Sequence, residues 1–520
     1  AQSAAGQGQA AGQGQSEADA PASERPATAM PAVTVTAEKP TGPSAAPEAT
    51  TPSQKVTPGG SGYPQVTGAT PVPASQAFQV LGENPGWLFN LSTYGAGFGK
   101  ALADHGLYLH GATQLMDMTV VSGGHKEGSN VFNQGYWGFD VDTQKAFGLP
   151  GGLFDMTMSS QTGNIFGTEN GSGSVGYVPS AFGDGLRLVN FYYSQSLFDH
   201  ALQVTLGRMQ SGYTSTPYLS PGIHQAEWYC SFITVSCGNT AAYAGNSSKA
   251  PYEVGSWGGF ITIHPAPHWY IKGGVYENQP LEATEPQSHL GWPGRDWGFN
   301  EAAGAFFPIQ LGYVTSPVSS QYPTNFHIGG YYDSATFPDK YYNAKLLPLA
   351  LHPGAPLLDQ GTSGIFGALQ QTVYRFSSNP LSTRGVSLFF SGDWDVGGLE
   401  TTQQQYVAGF IVTGPLASRA ADTVNFMFST QVFDPREKAG RDALAAAHHL
   451  DYLMQDQTGI EFNYGVALAP GVVVYPYTQY IIHPDQLGEA VPDPNDKHAW
   501  VIGLHALFRF DVLFGLPHPS

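Results

Sequence analysis

The chain has 520 residues, of which 12% are charged, 13% are aromatic and 65 are glycine, with a formal net charge of −19. Globular chains average about 25% charged residues, so a soluble surface this large would be poorly hydrated, and the acidity argues against nucleic acid or another polyanion as ligand. Mean hydropathy is −0.18 and no run of about 20 apolar residues occurs, which excludes a spanning helix.

Residues 1–80 are rich in Ala, Gly, Gln, Ser, Pro and Thr and almost lack aromatics before Tyr63. Such a segment buries too little apolar area to offset its ordering entropy, so a disordered arm is expected. The chain starts Ala1-Gln2-Ser3, with neither Met nor an apolar leader, as expected of a secretory product whose signal peptide has been cleaved. Within the arm, Val33, Thr34, Val35, Thr36 and Ala37 resemble the TonB box of energy-coupled receptors, which joins its partner by strand addition. A chance Val/Thr run in a Thr-rich linker is the simpler explanation, and no room exists after residue 40 for a plug domain.

Residues 94–105 predict a short helix ending at Gly106. Sixteen strand signals follow, bounded by Gly, Pro, Asn or Asp; they include 107–121, 134–145, 324–334, 364–376, 457–468 and 498–510. Short connections at 198–200 and 469–470 read as periplasmic turns. Long ones at 210–255, 278–303 and 335–363 read as extracellular or folded into a pore. Cys230 and Cys237 close a small interval without zinc-site spacing. They read as a disulfide pinning a loop in an oxidising compartment, or as two free thiols.

The last strand shows the governing pattern. Trp500, Ile502, Leu504, Ala506, Phe508 and Phe510 alternate with Val501, Gly503, His505 and Arg509. Period two means a strand. The same alternation recurs at Val424, Phe426 and Phe428 against Asn425, Met427, Ser429 and Gln431. It recurs again at Ile460, Phe462 and Tyr464 against Glu461 and Asn463, and at Trp269, Ile271 and Val275 against Tyr270, Lys272 and Tyr276. A sheet with an apolar outside and a polar inside, closed so that no edge remains, satisfies every backbone group in a bilayer. The expected fold is all-β. It is a transmembrane antiparallel β-barrel of about sixteen strands over 90–510, with an N-terminal arm and short helix before it and a tail at 511–520.

With the strands placed, local sequence resembles the carbohydrate-selective porin (OprB) family. The carriers are F-G-K-A-L-A-D-H-G-L-Y-L-H-G (98–111), R-L-V-N-F-Y-Y-S-Q-S-L-F-D-H-A-L-Q-V-T-L-G-R (187–208) and the Cys230, Phe232, Cys237, Gly238 loop. Further carriers are R-G-V-S-L-F (384–389), V-A-G-F-I-V-T-G-P-L-A-S-R-A-A-D (407–422) and Q-Y-I-I-H-P (479–484). The resemblance implies a sixteen-stranded outer-membrane barrel that passes sugars such as glucose by diffusion into the periplasm. Three features depart from the family pattern: the arm, His505 where the resemblance leads one to expect Arg, and a tail running past Phe510. The tail puts in doubt a simple reading of the C-terminal signal by the barrel-assembly machinery.

A sugar channel needs aromatic platforms for the apolar faces of the rings and polar groups for the hydroxyls, with binding weak enough for release. Candidates on inward faces or at loop roots are Arg187, Arg208, Lys272, Asp393, Glu461, Asn463 and His505, with Trp228, Trp292 and Trp297 in long loops. Each also has a structural reading, as wall pairing or loop packing. The acidity fits either soluble polar loops or repulsion of anions. No G-x-S-x-G or H-E-x-x-H occurs, Asp393 and Asp395 share one strand, and His448-His449 is an exposed doublet in an Ala-rich loop. No enzyme, cofactor or metal is therefore expected. The expected partners are sugars, outer-membrane lipid and lipopolysaccharide, the assembly machinery and, through the 33–37 segment, TonB.

Overall fold

The structure is a computed structural model that describes residues 84–163 except 125, 185–210, 255–278, 304–379 except 316–318, and 382–519 except 488. The arm, the Val33 to Ala37 segment, Cys230, Cys237, Trp228, Trp292 and Trp297 lie outside the described residues. Helix α1 (Ala96–Asp104) leads into β1 (Leu107–Gly123) and β2 (Gly128–Asp142). The short α2 (Thr143–Phe147) precedes β3 (Gly152–Gly163), β4 (Gly185–Leu197), β5 (Leu202–Gln210), β6 (Gly255–Ala266), β7 (Trp269–Asn278) and β8 (Gly304–Val314). There follow β9 (Thr324–Asn343), β10 (Pro356–Arg375), β11 (Gly385–Asp395), β12 (Thr402–Thr413) and β13 (Thr423–Phe433). Helix α3 (Pro435–Ala447), β14 (Gln457–Ala469), β15 (Val472–Ile482), β16 (His498–Arg509) and α4 (Phe510–Phe514) complete the order.

Each strand pairs with its sequence neighbours, and β1 pairs antiparallel with β16, from Ala112 opposite Arg509 to Gly123 opposite Ala499. The ring is therefore closed at sixteen strands with no free edge, as the alternation predicts. The faces also agree. Ile271, Leu388, Phe390, Phe462 and Trp500 are exposed outward, whereas Tyr270, Lys272, Ser391, Asp393, Glu461, Asn463 and Val501 are buried on the inner side. Two aromatic girdles bound the outer apolar band. Trp269 packs on Tyr313 (5.0 Å) and Tyr374 on Phe376 (5.6 Å) at one rim, and Phe307 stacks on Tyr332 (6.4 Å) toward the other.

Three regions correct the sequence expectations. The expected long connection at 335–363 is mostly strand: β9 and β10 each run 20 residues, leaving only 344–355 as the turn. The hairpin rises past the bilayer, where no lipid enforces an apolar outer face, so its alternation fades. Pro338 and the bulge at Gly361 (φ +78°) further disguise it. The Ala-rich stretch after β13 is a 13-residue helix, with Asp434 capping the N–H of Arg436 and Pro435 in the first turn. His448 and His449 are exposed just beyond it, as expected. Finally, the tail beyond Phe510 is folded. Leu513 packs with Ala469 and Val472, and Gly515 (φ +67°) turns the chain where a Cβ would collide with the Ser92 carbonyl.

The segment before α1 follows the short-turn rim. Ala420 donates to the Asn84 carbonyl (3.2 Å), Arg419 to that of Gly86, Leu88 to that of Leu468 (2.7 Å), and Gly95 to that of Phe514 (3.0 Å). The Asp422 carboxylate beside Arg419 holds that guanidinium above its ordinary pKa. Residues 84–95 thus tie the β12–β13 turn, the β14–β15 turn and the tail into one strap.

Candidate functional site

The interior wall is built from the inward half of each strand's alternation. On β13 to β15 it forms one polar chain: Asn425 Nδ2 donates to Asn463 Oδ1 (2.7 Å), Asn463 Nδ2 to Glu461 Oε1 (2.8 Å), and Gln479 Nε2 to Glu461 Oε2 (2.9 Å). Both carboxylate oxygens of Glu461 are thereby satisfied, and the residue has no exposed surface. Lys272 lies with Nζ 4.1 Å from the centre of the Phe260 ring, a cation–π contact on a neighbouring strand. His505 sits on β16 with its ring 5.6 Å from that of Tyr475. Arg208, on β5 opposite Phe191 and Trp257, is wholly buried, its stem beside Gly255, where a Cβ would press on it. Arg187 lies on β4 opposite Ser159.

The sequence candidates are therefore not one site. Glu461 and Asn463 are bonded to each other, whereas Arg208, Lys272, Asp393 and His505 are spread round the wall on β5, β7, β11 and β16. A second inner cluster was missed. Asn278 donates to both oxygens of Asp333 (2.8 and 2.7 Å), Thr362 donates to Asp395 (3.0 Å), and the Glu400 N–H donates to Asp395 (2.9 Å). Together with Asp393 these carboxylates surround the buried Tyr331 at the long-loop half of the barrel. Burial first, and then the Asp395 charge, pushes Glu400 well above the usual carboxylate range. Strand parity was the available signal, since Asp333, Asp393 and Asp395 all fall on inward positions. Helix α3 was the other omission. Arg436 bridges Asp434 (3.3 Å) and Asp339 of β9 (3.0 Å), four places away in the ring, while Arg441 donates to the carbonyls of Leu487 and Glu489. The helix thus ties strand β9, its own connection and the β15–β16 connection together at the long-loop end.

A closed ring, an apolar outer band between aromatic girdles and an amide- and carboxylate-lined interior define an outer-membrane channel of the porin class. The family model for the carbohydrate-selective porins of the OprB family matches residues 126–510, and the chain belongs to that family. Porin B of Pseudomonas aeruginosa is 25% identical over 370 residues, covering 68% of this chain and 77% of that protein. The putative porin QuiX of Acinetobacter baylyi is 23% identical over 415 residues, covering 75% and 86%. The high-pH structure of Pseudomonas putida OprB superposes with a TM-score of 0.67 at 20% identity, covering 80% of this chain and 96% of that one, and so shares the fold.

Proposed function

We propose that the barrel is a passive route by which neutral monosaccharides such as glucose diffuse across the outer membrane into the periplasm. The observation that carries this reading is the interior wall. Its polar groups are largely amides, hydroxyls and satisfied carboxylates, such as the Asn425–Asn463–Glu461–Gln479 chain, interleaved with inward rings such as Tyr270 and Tyr475. Such a wall is polar and hydrogen-bonding along its height, which suits a neutral polyol better than an apolar or strongly basic lining would. Arg208, Lys272, Asp393 and His505 contribute as wall residues that set its polarity. No catalytic step is assigned to any of them. The outer band meets lipid, and β16 with its following helix is the segment offered to the assembly machinery.

The test is swelling of liposomes carrying the purified protein. Glucose is expected to enter faster than a zwitterionic amino acid of similar size. Equal rates, or no entry above empty liposomes, would reject sugar selectivity.

A further inference from the structure

Low on the wall, toward the short-turn rim, His110, Asp140 and Asp155 meet on the inner faces of β1, β2 and β3. Nothing in the transport reading uses them. Asp140 and Asp155 are direct partners in the β2–β3 register, so two carboxylates stand side by side on one face. His110 leans across Gly138, where a Cβ would lie 2.9 Å from Nε2, so the missing side chain makes room for the ring. Its Nδ1 is 3.2 Å from Asp140 Oδ2, and its Nε2 is 3.0 Å from Thr157 Oγ1 and 4.0 Å from Asp155 Oδ2. All three side chains are at least nine-tenths buried, at 5%, 1% and 0% exposure.

Hydrogen bonds among these four residues leave one oxygen unused. The Thr157 hydroxyl has one proton, which it gives to Asp155 (3.1 Å), so it must accept from His110 Nε2–H. Asp140 Oδ2 then takes Nδ1–H. Two facing carboxylates thus share one imidazole, and Asp140 Oδ1 is left without a donor unless a proton or a cation lies between them. Like charges directly opposite on a sheet repel, and a buried uncompensated charge is costly. Asp511 of the tail, a further carboxylate within electrostatic reach, is paired with Arg509 (3.3 Å), so the pair brings no net charge to the three side chains.

We infer that His110, Asp140 and Asp155 form a binding site for one divalent transition-metal ion of the zinc type. A dication with two carboxylates and a neutral imidazole sums to zero charge and gives the free Asp140 oxygen a partner. The one-nitrogen, two-oxygen donor set suits a borderline ion such as Zn²⁺, whereas Ca²⁺ and Mg²⁺ favour all-oxygen shells. One ligand atom from each residue lies within 4.8 Å of the others. Two bonds of about 2.1 Å allow roughly 4 Å between ligands, so the shell closes with shifts below an ångström. The bound ion would staple three consecutive strands beside the β1–β16 seam. A single proton shared between the two carboxylates is the competing occupant.

The test uses the full chain in detergent, stripped with EDTA, dialysed against buffered Zn²⁺ and assayed for metal by mass spectrometry. The wild type is expected to retain one Zn²⁺ per chain, to give visible cobalt bands on Co²⁺ exchange, and to unfold at lower temperature after stripping, with recovery on Zn²⁺ addition. Asp140→Asn and His110→Gln, checked as folded by heat-modifiable gel mobility, are expected to weaken Zn²⁺ binding at least tenfold. The proposal is overturned if the wild type holds no stoichiometric zinc, if folded variants bind as it does, or if stripping leaves its unfolding temperature unchanged. The wild-type readouts decide the matter alone should a variant fail to fold.

Discussion

A single alternation decides which residues meet lipid, and neighbours in sequence have opposite fates because of it. Phe462 is 48% exposed on the outer face, while Glu461 beside it has no exposed surface. Replacing Phe462 by Arg places a charge against the bilayer and is expected to cost about 2–4 kcal/mol if it lies near the midplane, read from unfolding titrations in liposomes. Replacing Glu461 by Ala orphans the amide donors of Asn463 and Gln479. At about 1–3 kcal/mol per buried unsatisfied group, a loss of roughly 2–6 kcal/mol is expected; a change under about 0.5 kcal/mol would show that water satisfies those donors. Glu400 gives a pH signature. A carboxyl raised on folding adds stability that is fully present below its unfolded value of 4.5 and is lost as pH climbs toward the raised one. The unfolding midpoint should therefore decline with rising pH above that value, and Glu400→Gln should flatten the decline. At this scale the inward and outward sets were legible from period two alone. The partners were not, because Glu461 meets Asn425, Asn463 and Gln479 through register, which no local window contains.

Among the elements, those spanning the bilayer were the easiest to read, because lipid forces an apolar outer face there. Beyond the bilayer that constraint ends, which is why β9 runs on unseen past Ser334 and β10 starts unseen before Gly364. Helix α3 left clear signals in Asp434, Pro435 and Glu437, but its Ala-rich body carries little apolar periodicity. Its position depends on ion pairs that only the fold creates. Asp339 is nearly buried and Arg436 is about one-third exposed, so their coupling should be modest, about 1 kcal/mol in a double-mutant cycle of Arg436→Ala and Asp339→Ala. The accompanying change should be local: faster amide hydrogen exchange across α3 with the barrel strands unaffected. Exchange unchanged in α3 would mean that the Arg441 contacts to 487 and 489 hold the helix by themselves. The strap at 84–95 was equally unreadable, since its bonds go through backbone groups that any sequence supplies.

For the whole molecule, closure makes the interior a separate compartment, and charge decides what enters it. The chain carries −19 overall, and inner carboxylates at Asp333 and Asp395 stand at the long-loop half of the barrel. A low-dielectric wall focuses such a field along the axis, so small cations should pass more readily than anions of similar size while neutral sugars feel neither. In a planar bilayer under a KCl gradient, the reversal potential should therefore take the sign of cation preference. The preference should shrink as bulk salt rises from about 0.1 M to 1 M, since the screening length falls from roughly 10 Å to 3 Å. Asp395→Asn should reduce it at low salt. Sugar flux measured in the same membranes should not follow the salt. An anion-preferring reversal potential would place the net negative charge on the outer loops rather than along the conduction path, and would assign the acidity to solubility instead of to the pore.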